Sequence, residues 1–411
     1  MNDYDQDTIT SMFIIETLRS GIPTRLSTRN LPDLRLNLTE LIKNDLENFN
    51  VDKIPPGRII WGQYGQGKTH VLTTVEHIAL DLGFAVSRVS LSREVSCHNL
   101  FKFYGKVAPR IKTPDSTSIG IQKALYKKGK IDLPDSPILD SDRYIHPLPA
   151  LIFEDFYYTF GEEQDKLYGD LMGIRASIAQ FRTIHQKNHP ELPLPKFDTF
   201  KETIHSQAYF GLMADVIKFC GYKGWVILID EVELIGRLGK VSRFKAYLNL
   251  IWLLNWNSEM KYPIYVLTAA ATRLQDDLWF GKKDSDRDVM PELAGVRFNP
   301  KGKKDLIDFF NKAIGDDSLT VSPAKTEDLI LLLNRVIEFH ANAYHWQPNI
   351  DVNELIEQLG AQTARTYIRG MLESLDIQYL YNEDIKLNAE KLIEKPLEED
   401  REYFSNEEKE E

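Results

Sequence analysis

The residues best suited to chemistry cluster in Gly62-Gln63-Tyr64-Gly65-Gln66-Gly67-Lys68-Thr69, which satisfies G-x-x-x-x-G-K-[ST]. The spacing has a physical meaning. Glycines admit φ > 0, so successive backbone N–H groups can turn inward around a β-phosphate while the lysine ammonium reaches the β- and γ-phosphates. The Thr69 hydroxyl suits Mg²⁺, and a helix opening here, with His70 in its first turn, adds a positive N-terminal dipole. Such a site also needs a carboxylate at the tip of a neighbouring strand. Trp225-Val-Ile-Leu-Ile-Asp230-Glu231 supplies one: the apolar run suits a strand buried on both faces, and the acidic pair emerges where the chain leaves the sheet. Asp230 is expected to hold Mg²⁺. Glu231 is expected to polarise the attacking water, a role contributing about 10² to 10⁴ in rate as a general base. Glu233 reads as a surface or interface charge.

Further polar groups extend this candidate site. The apolar run at 264–269 leads into Thr272-Arg273, and a hydroxyl just past that strand would sense the γ-phosphate, Thr272 being the first choice and Thr268 the second. Arg365 and Arg369 stand i,i+4 on the last predicted helix, so one can face the nucleotide while the other faces solvent or protein. Arg243 and Arg287 are candidates for a cation supplied to a neighbouring subunit's γ-phosphate. His185 and His189 have the helical spacing of a metal pair, but no third ligand is evident and Pro190 follows at once. Trp252, Leu253 and Trp256 read as core or subunit interface. The clusters Lys127-Lys128-Gly129-Lys130 and Lys301-Gly302-Lys303-Lys304 read as solvated faces.

Positioning these groups requires a sheet. The segment 58–61 is a strand, 62–67 a loop, 70–82 a helix and 84–91 an alternating strand, a unit that implies parallel pairing with a right-handed crossover. Helices are predicted at 8–19, with Met12, Ile15 and Leu18 on one face and Gly21 and Pro23 as the stop, and at 38–49. Residues 109–149, rich in Pro, Asp, Ser and Lys, predict a long exposed loop with one short helix near 121–126. The stretch 150–220 predicts helices broken at 189–195, followed by strands at 225–229 and 264–269 flanking a helix at 244–255, and helical segments at 306–313, 327–344 and 363–375. The expected organisation is an N-terminal helical segment (1–50), a P-loop domain (51–299) with a largely helical insertion at about 100–220, a helical lid (300–385) and an acidic tail (386–411).

Composition bounds the partners. The chain has 411 residues, 43% hydrophobic and 27% charged, enough to bury large cores. A formal charge of −11 argues against coating nucleic acid through the overall field. Cys97 and Cys220 stand far apart outside any CxxC pair, so no disulfide framework or cysteine zinc site is expected. No segment has the roughly 20 consecutive apolar residues of a membrane span, and the start MNDYDQDTIT lacks the order of a signal peptide. A cytoplasmic location is expected.

With these residues in hand, the chain resembles the AAA+ ATPases near the origin-recognition and Cdc6-like proteins, and more narrowly the BrxD-type ATP-binding proteins of bacterial BREX phage-defence islands. The matching pieces are FIIETLRSGIPTR (13–25), GQYGQGKTHVL (62–72), FAVSRVSLSRE (84–94), VILIDEVELIGRL (226–238) and TARTYIRGMLESLD (363–376). The resemblance implies an α/β P-loop fold, a parallel sheet with flanking helices followed by a small helical lid. It also implies ATP with Mg²⁺ and a homo-oligomer with the site near a subunit boundary. By carry-over Lys68 and Thr69 are the Walker A residues, Asp230 and Glu231 the Walker B residues, Thr272 sensor 1 and Arg365 sensor 2, with 20–25 near adenine. The stretch after the lid is shorter than a winged-helix domain, so DNA contact is expected directly or through a partner such as a superfamily 2 helicase or another defence protein, and the 100–220 insertion is a candidate partner surface. The expected activity is ATP hydrolysis driving conformational change or assembly in a DNA-linked antiphage complex. The alternative is a nucleotide-gated switch with negligible turnover.

Overall fold

Apolar runs too continuous for a one-sided sheet become inner strands covered on both faces. The computed structural model describes residues 6–21, 24–50, 53–129, 136–280, 285–297, 300–315 and 318–383; the acidic tail lies outside them. Its strands β1 (Arg58–Gly62), β2 (Ala85–Ser90), β3 (Trp225–Asp230), β4 (Ile264–Ala271) and β5 (Leu319–Thr320) form one parallel sheet in the order β2-β3-β4-β1-β5. Every residue of β3 is buried. Gly62 stands opposite Ala271, Ile229 opposite Thr268 and Asp230 opposite Ser90. The ends of β1, β3 and β4 therefore share one edge, the carboxyl edge where α/β sheets bind ligands.

Helices α1 (Gln6–Ser20), α2 (Arg25–Asn30) and α3 (Leu36–Glu47) precede β1, and α4 (Lys68–Asp81) joins β1 to β2. The connection from β2 to β3 holds α5 (Leu100–Val107), α6 (Gln122–Lys128), α7 (Leu148–Tyr158), α8 (Glu162–Leu171), α9 (Ile178–Asn188) and α10 (Glu202–Phe219). Helix α11 (Lys240–Leu253) leads to β4, and α12 (Asp286–Arg297) and α13 (Pro300–Ile314) lead to β5. Last come α14 (Thr326–Tyr344), α15 (Val352–Leu359) and α16 (Ala364–Tyr381). None of the described helices is long and apolar enough to cross a membrane.

Strand alternation divides the core. Ile60, Val86, Leu228 and Leu267 meet α3 and α4 through Ile42, Leu46, Val71 and Val75 on one face. Ile59, Trp61, Val89 and Ile227 meet the larger core on the other, where Phe103, Tyr104, Phe153 and Phe210 of the β2–β3 connection and Phe309 and Phe310 of α13 pack. The Trp61 indole N–H donates to Ala313 O at 2.9 Å, which fastens α13 to the sheet. Trp252 and Trp256 belong to this core, Trp256 donating to Gly57 O at 2.8 Å.

One expectation changes. The stretch 109–149 is not an exposed loop: Ile111, Ile121, Leu125, Ile138 and Leu148 are all buried in the main core, and Lys112 pairs its backbone with Val86. Its Pro- and Ser-rich composition marks the turns, while widely spaced apolar residues anchor them. In α1 the predicted face does pack: Ile15 is buried, and Met12 and Leu18 are partly buried against the same cluster. Ile14 and Ile15 pack with Leu329, Leu333, Val336, Met371 and Leu375, so the first described helix joins the last ones in a third cluster.

His77 links α4 to α2. Its Nδ1 accepts from Arg25 Nε at 3.2 Å, so its Nε2–H donates to the Thr28 hydroxyl oxygen at 2.7 Å. Burial first, then Arg25 and Arg29, lower its pKa from 6.5 to about 4. The unfolded chain takes up this proton near 6.5 and the folded chain only near 4, so the contribution present above 6.5 is lost as pH falls between these values. The melting temperature should therefore fall from pH 6.5 to 4, and His77→Gln should flatten part of that slope. An unchanged slope in the variant refutes the assignment.

Candidate nucleotide site

The loop takes its shape from its own residues. Gly65 (φ 78°) and Gly67 (φ 97°) are left-handed, and a Cβ on Gly65 would lie 3.2 Å from the Thr363 hydroxyl. Gln66 folds back to accept from Gln63 N–H at 2.6 Å. Helix α4 begins at Lys68 with no side-chain cap, so the N–H groups of its first turn face outward as an anion site. Lys68 is buried, and its ammonium donates to Gly62 O at 3.0 Å and Gln63 O at 3.1 Å. The side chain thus curls back along the loop whose amides it would share with a phosphate.

Thr69 Oγ1 donates to Asp230 Oδ2 at 2.9 Å, which joins the start of α4 to the end of β3. Arg88 of β2, which the sequence patterns did not single out, stands 3.6 Å from the same carboxylate oxygen. Its guanidinium also donates to Thr73 Oγ1 at 2.7 Å and Thr69 O at 3.3 Å. Arg88 stands opposite Leu228, two residues before Asp230 on the neighbouring strand, a relation no spacing along the chain reveals.

Glu231 leaves β3 in left-handed backbone, φ 60° and ψ 37°, a strained conformation for a non-glycine residue. Asp230 Oδ1 accepts the Glu231 N–H at 3.1 Å, and Leu234 N–H donates to Glu231 O at 3.0 Å. Glu233 is not a free surface charge. Its Oε2 accepts from Ala271 N–H at 2.9 Å, and its carboxyl hydrogen-bonds that of Glu231. Burial first, then the charges of Glu233 and Asp230, push the Glu231 pKa up to about 7, against the pull of Lys68.

One open cleft, about 200 Å³ in volume, joins the loop, Lys68, Thr69 and Glu231. Tyr64, Gly65, Gln66, Gly67, Lys68, Thr69, His70 and Glu231 line one side. Leu18, Leu31, Pro32, Leu34, Leu332 and Ile368 give the other side an apolar character that suits a purine ring. Burial, the largest influence, lowers the pKa of His70, which favours the neutral ring. Arg365 spans the cleft, donating to Gly21 O at 2.8 Å and to the Tyr64 hydroxyl at 3.4 Å. Gly21 (φ 67°) is the residue that fits there, since a Cβ would meet the Arg365 guanidinium at 3.2 Å. Arg35 also lines the cleft, and its buried Nε has no hydrogen-bond partner. No motif marks it.

The remaining candidates fall elsewhere. Thr272 N–H reaches Gly62 O at 3.4 Å, at the sheet edge, but Thr272 does not line the cleft. Thr268 is buried inside β4, its hydroxyl donating to Arg58 O at 3.4 Å. Arg243 does not fit a finger offered to a neighbour: it is 5% exposed and holds Asp286 through contacts of 3.0 and 3.1 Å. Arg287 is exposed and bonds Asn311 at 3.0 Å, while Arg369 lies outside the cleft lining. Of the 20–25 stretch, Gly21 lines the cleft, Thr24 caps α2, and Ile22 and Pro23 lie outside the described residues. Lys127 pairs with Asp115, Lys301 with Glu259 and Lys303 with Glu292; Lys130 lies outside the described residues.

The family described as BREX system ATP-binding protein BrxC/D matches residues 9–125 and 201–278. The chain belongs to the BrxC/BrxD family. The matched stretches hold α1, the loop, Arg88, Asp230, Glu231 and Thr272, so the family likeness covers both the sheet edge and the N-terminal wall of the cleft. The chain is accordingly an ATP-binding protein of the BREX defence system. No curated protein matched it.

The strain at Glu231 can be measured. Glu231→Gly removes left-handed strain of about 1–2 kcal/mol and a buried carboxyl, at an entropic cost of about 0.4–1 kcal/mol in the unfolded chain. The variant should melt higher than the parent. A lower melting temperature would show that Glu231 holds the turn instead of being held by it.

Proposed function

We propose that this BrxC/BrxD-family chain hydrolyses ATP with Mg²⁺, and that hydrolysis drives conformational change or assembly in a DNA-linked antiphage complex. The observation carrying the reading is the convergence on one cleft of an uncapped helix start, a lysine and a strained, half-buried glutamate. The donor set fits Mg²⁺: Thr69 Oγ1 and Asp230 Oδ2 are hard oxygen ligands 2.9 Å apart beside the loop. The ion, when bound, neutralises phosphate charge.

The chain's own residues divide the work. The loop amides and Lys68 cradle the phosphates, Lys68 exchanging its two carbonyl partners for phosphate oxygens. Glu231, held near neutral pKa, takes a proton from the attacking water as the γ-phosphoryl bond breaks to give ADP and phosphate. Arg365, already across the cleft, contributes positive charge from the helical side. Thr272 stands at the strand end beside Gly62 as the γ-phosphate sensor. We assign α14–α16 with α1 as the lid, because they share a core and form the cleft's second wall. Assembly is proposed as a homo-oligomer that meets a helicase or another BREX protein, with DNA reached directly or through that partner. Arg287, exposed beyond β4, is the finger candidate that remains.

Steady-state phosphate release tests this, with and without DNA. Glu231→Gln should lower the rate by about 10² to 10⁴ while ATP still binds, and Lys68→Ala should lose nucleotide binding as well. No phosphate release by the parent chain at any protein concentration, with ATP bound, favours the nucleotide-gated switch. Unchanged ATP affinity in Lys68→Ala overturns the site itself.

A further inference from the structure

A polar cluster inside the β2–β3 connection lies away from the cleft. Asp155 of α7 faces His185 of α9 and His189 just after it: Asp155 Oδ2 lies 2.9 Å from His185 Nδ1, and Asp155 Oδ1 lies 2.9 Å from His189 Nε2. The three donor atoms all fall within 4.8 Å of one another. Asp155 is 0% exposed, and His185 is also buried. The i,i+4 histidine spacing is visible in sequence, but the carboxylate comes from a residue 30 positions upstream of His185.

Protons satisfy one of these two contacts and leave the other open. His185 Nε2 stands 3.1 Å from the Leu192 carbonyl, so this nitrogen must carry a proton. Without a metal, the 2.9 Å contact of Nδ1 with the carboxylate needs a second proton, on His185 or on Asp155, inside the core. The second contact is also unusual. Asp155 Oδ1 and His189 Nε2 are buried and 2.9 Å apart, yet neither has a hydrogen-bond partner, because their directions do not fit one. A cation among the three atoms satisfies both contacts at once, with no second proton in the core. It accepts the Nδ1 lone pair of His185, the Nε2 lone pair of His189 and the carboxylate. It also leaves His185 Nε2–H for Leu192 O, the outer hydrogen bond that metal-bound histidines regularly make.

We propose that Asp155, His185 and His189 form a divalent metal site that pins α7 to α9, with Zn²⁺ as the ion their two imidazoles and one carboxylate best suit. Three protein ligands leave one tetrahedral position for water, on the side of His189, the most exposed of them. Asn188 Nδ2 donating to Thr159 Oγ1 at 2.9 Å ties the same helix ends together, so the ligands are held by packing before the metal arrives. All three ligands lie in 126–200, between the stretches that match the family. The site is independent of the nucleotide reading.

The test uses the full chain without a histidine tag, stripped with chelator and titrated with Co²⁺. A visible d–d band saturating at one equivalent, abolished by Zn²⁺, is the expected result. Asp155→Asn and His189→Gln should weaken Co²⁺ binding at least tenfold, whereas Thr69→Ala, altered in the nucleotide cleft, should keep the band. Absence of a band in the parent chain overturns the proposal and leaves an imidazolium–carboxylate contact. So does a band that survives in folded Asp155→Asn and His189→Gln. If either variant fails to fold, the parent titration and direct measurement of zinc bound per chain decide alone, with less than a tenth of an equivalent counting against the site.

Discussion

The hydrogen bond from Thr69 to Asp230 is the contact on which the rest of this molecule's chemistry depends. It spans residues far apart in sequence yet only 2.9 Å apart in space, and it forms only if β1 and β3 end at the same level. Parallel pairing through the intervening β4 fixes that level: Gly62 is opposite Ala271, and Ile229 is opposite Thr268. A slip of one residue along either ladder would turn Asp230 toward the opposite face of the sheet. Burial of both sheet faces makes such a slip costly, since each strand would present its apolar residues to the wrong helices. The large cores thus set the distance between a hydroxyl and a carboxylate.

The cleft belongs to two packing units at once. Its polar floor is the sheet edge, and its apolar wall comes from α1, the segment around Leu31 to Leu34, α14 and α16. Ile14 and Ile15 bind α1 into the C-terminal cluster, while His77 and its contacts bind α2 to α4 on the sheet side. Arg365 of α16 bonds to Gly21, just past the end of α1. A ligand filling the cleft would touch both units, which gives it differential contact with any two arrangements of them. Such differential contact is the physical requirement for coupling ligand occupancy to shape.

How far the site can be read from sequence follows from where its information lies. The loop and the acidic strand are legible because each is a local pattern: glycines where left-handed backbone is needed, and an apolar run ending in carboxylates. The parallel α/β class follows from the same unit. Arg88, Arg35 and Asp155 are illegible because each acts across strands or helices whose adjacency is a property of the tertiary structure. Glu233 is misjudged as a surface charge for a similar reason, since its partner is a backbone N–H at the end of β4. Arg243 carries the converse lesson. An arginine after an acidic strand looks available to a neighbour, but Asp286, distant in sequence, claims it within the core. The stretch 109–149 misleads through composition: a few buried isoleucines and leucines outweigh many polar turn residues.

Glu231 shows why local rules fail where chemistry is concentrated. Asn255, Ser258, His345 and Asn382 are the other left-handed non-glycine residues among those described, and glutamate is less suited to that backbone than asparagine or histidine. Its carboxyl also sits beside two others, and burial raises its pKa to about 7. Backbone strain, like charges and desolvation all oppose this arrangement. What offsets them is the surrounding frame: Asp230 accepting the Glu231 N–H, Leu234 N–H bonding its carbonyl, and Glu233 anchored on β4. Relaxing any one of these would let the carboxyl swing out to water and return toward an ordinary acid. A glutamate kept half-ready to give up its proton beside an anion site is thus a product of the frame, and the stability of the sheet edge is what maintains it.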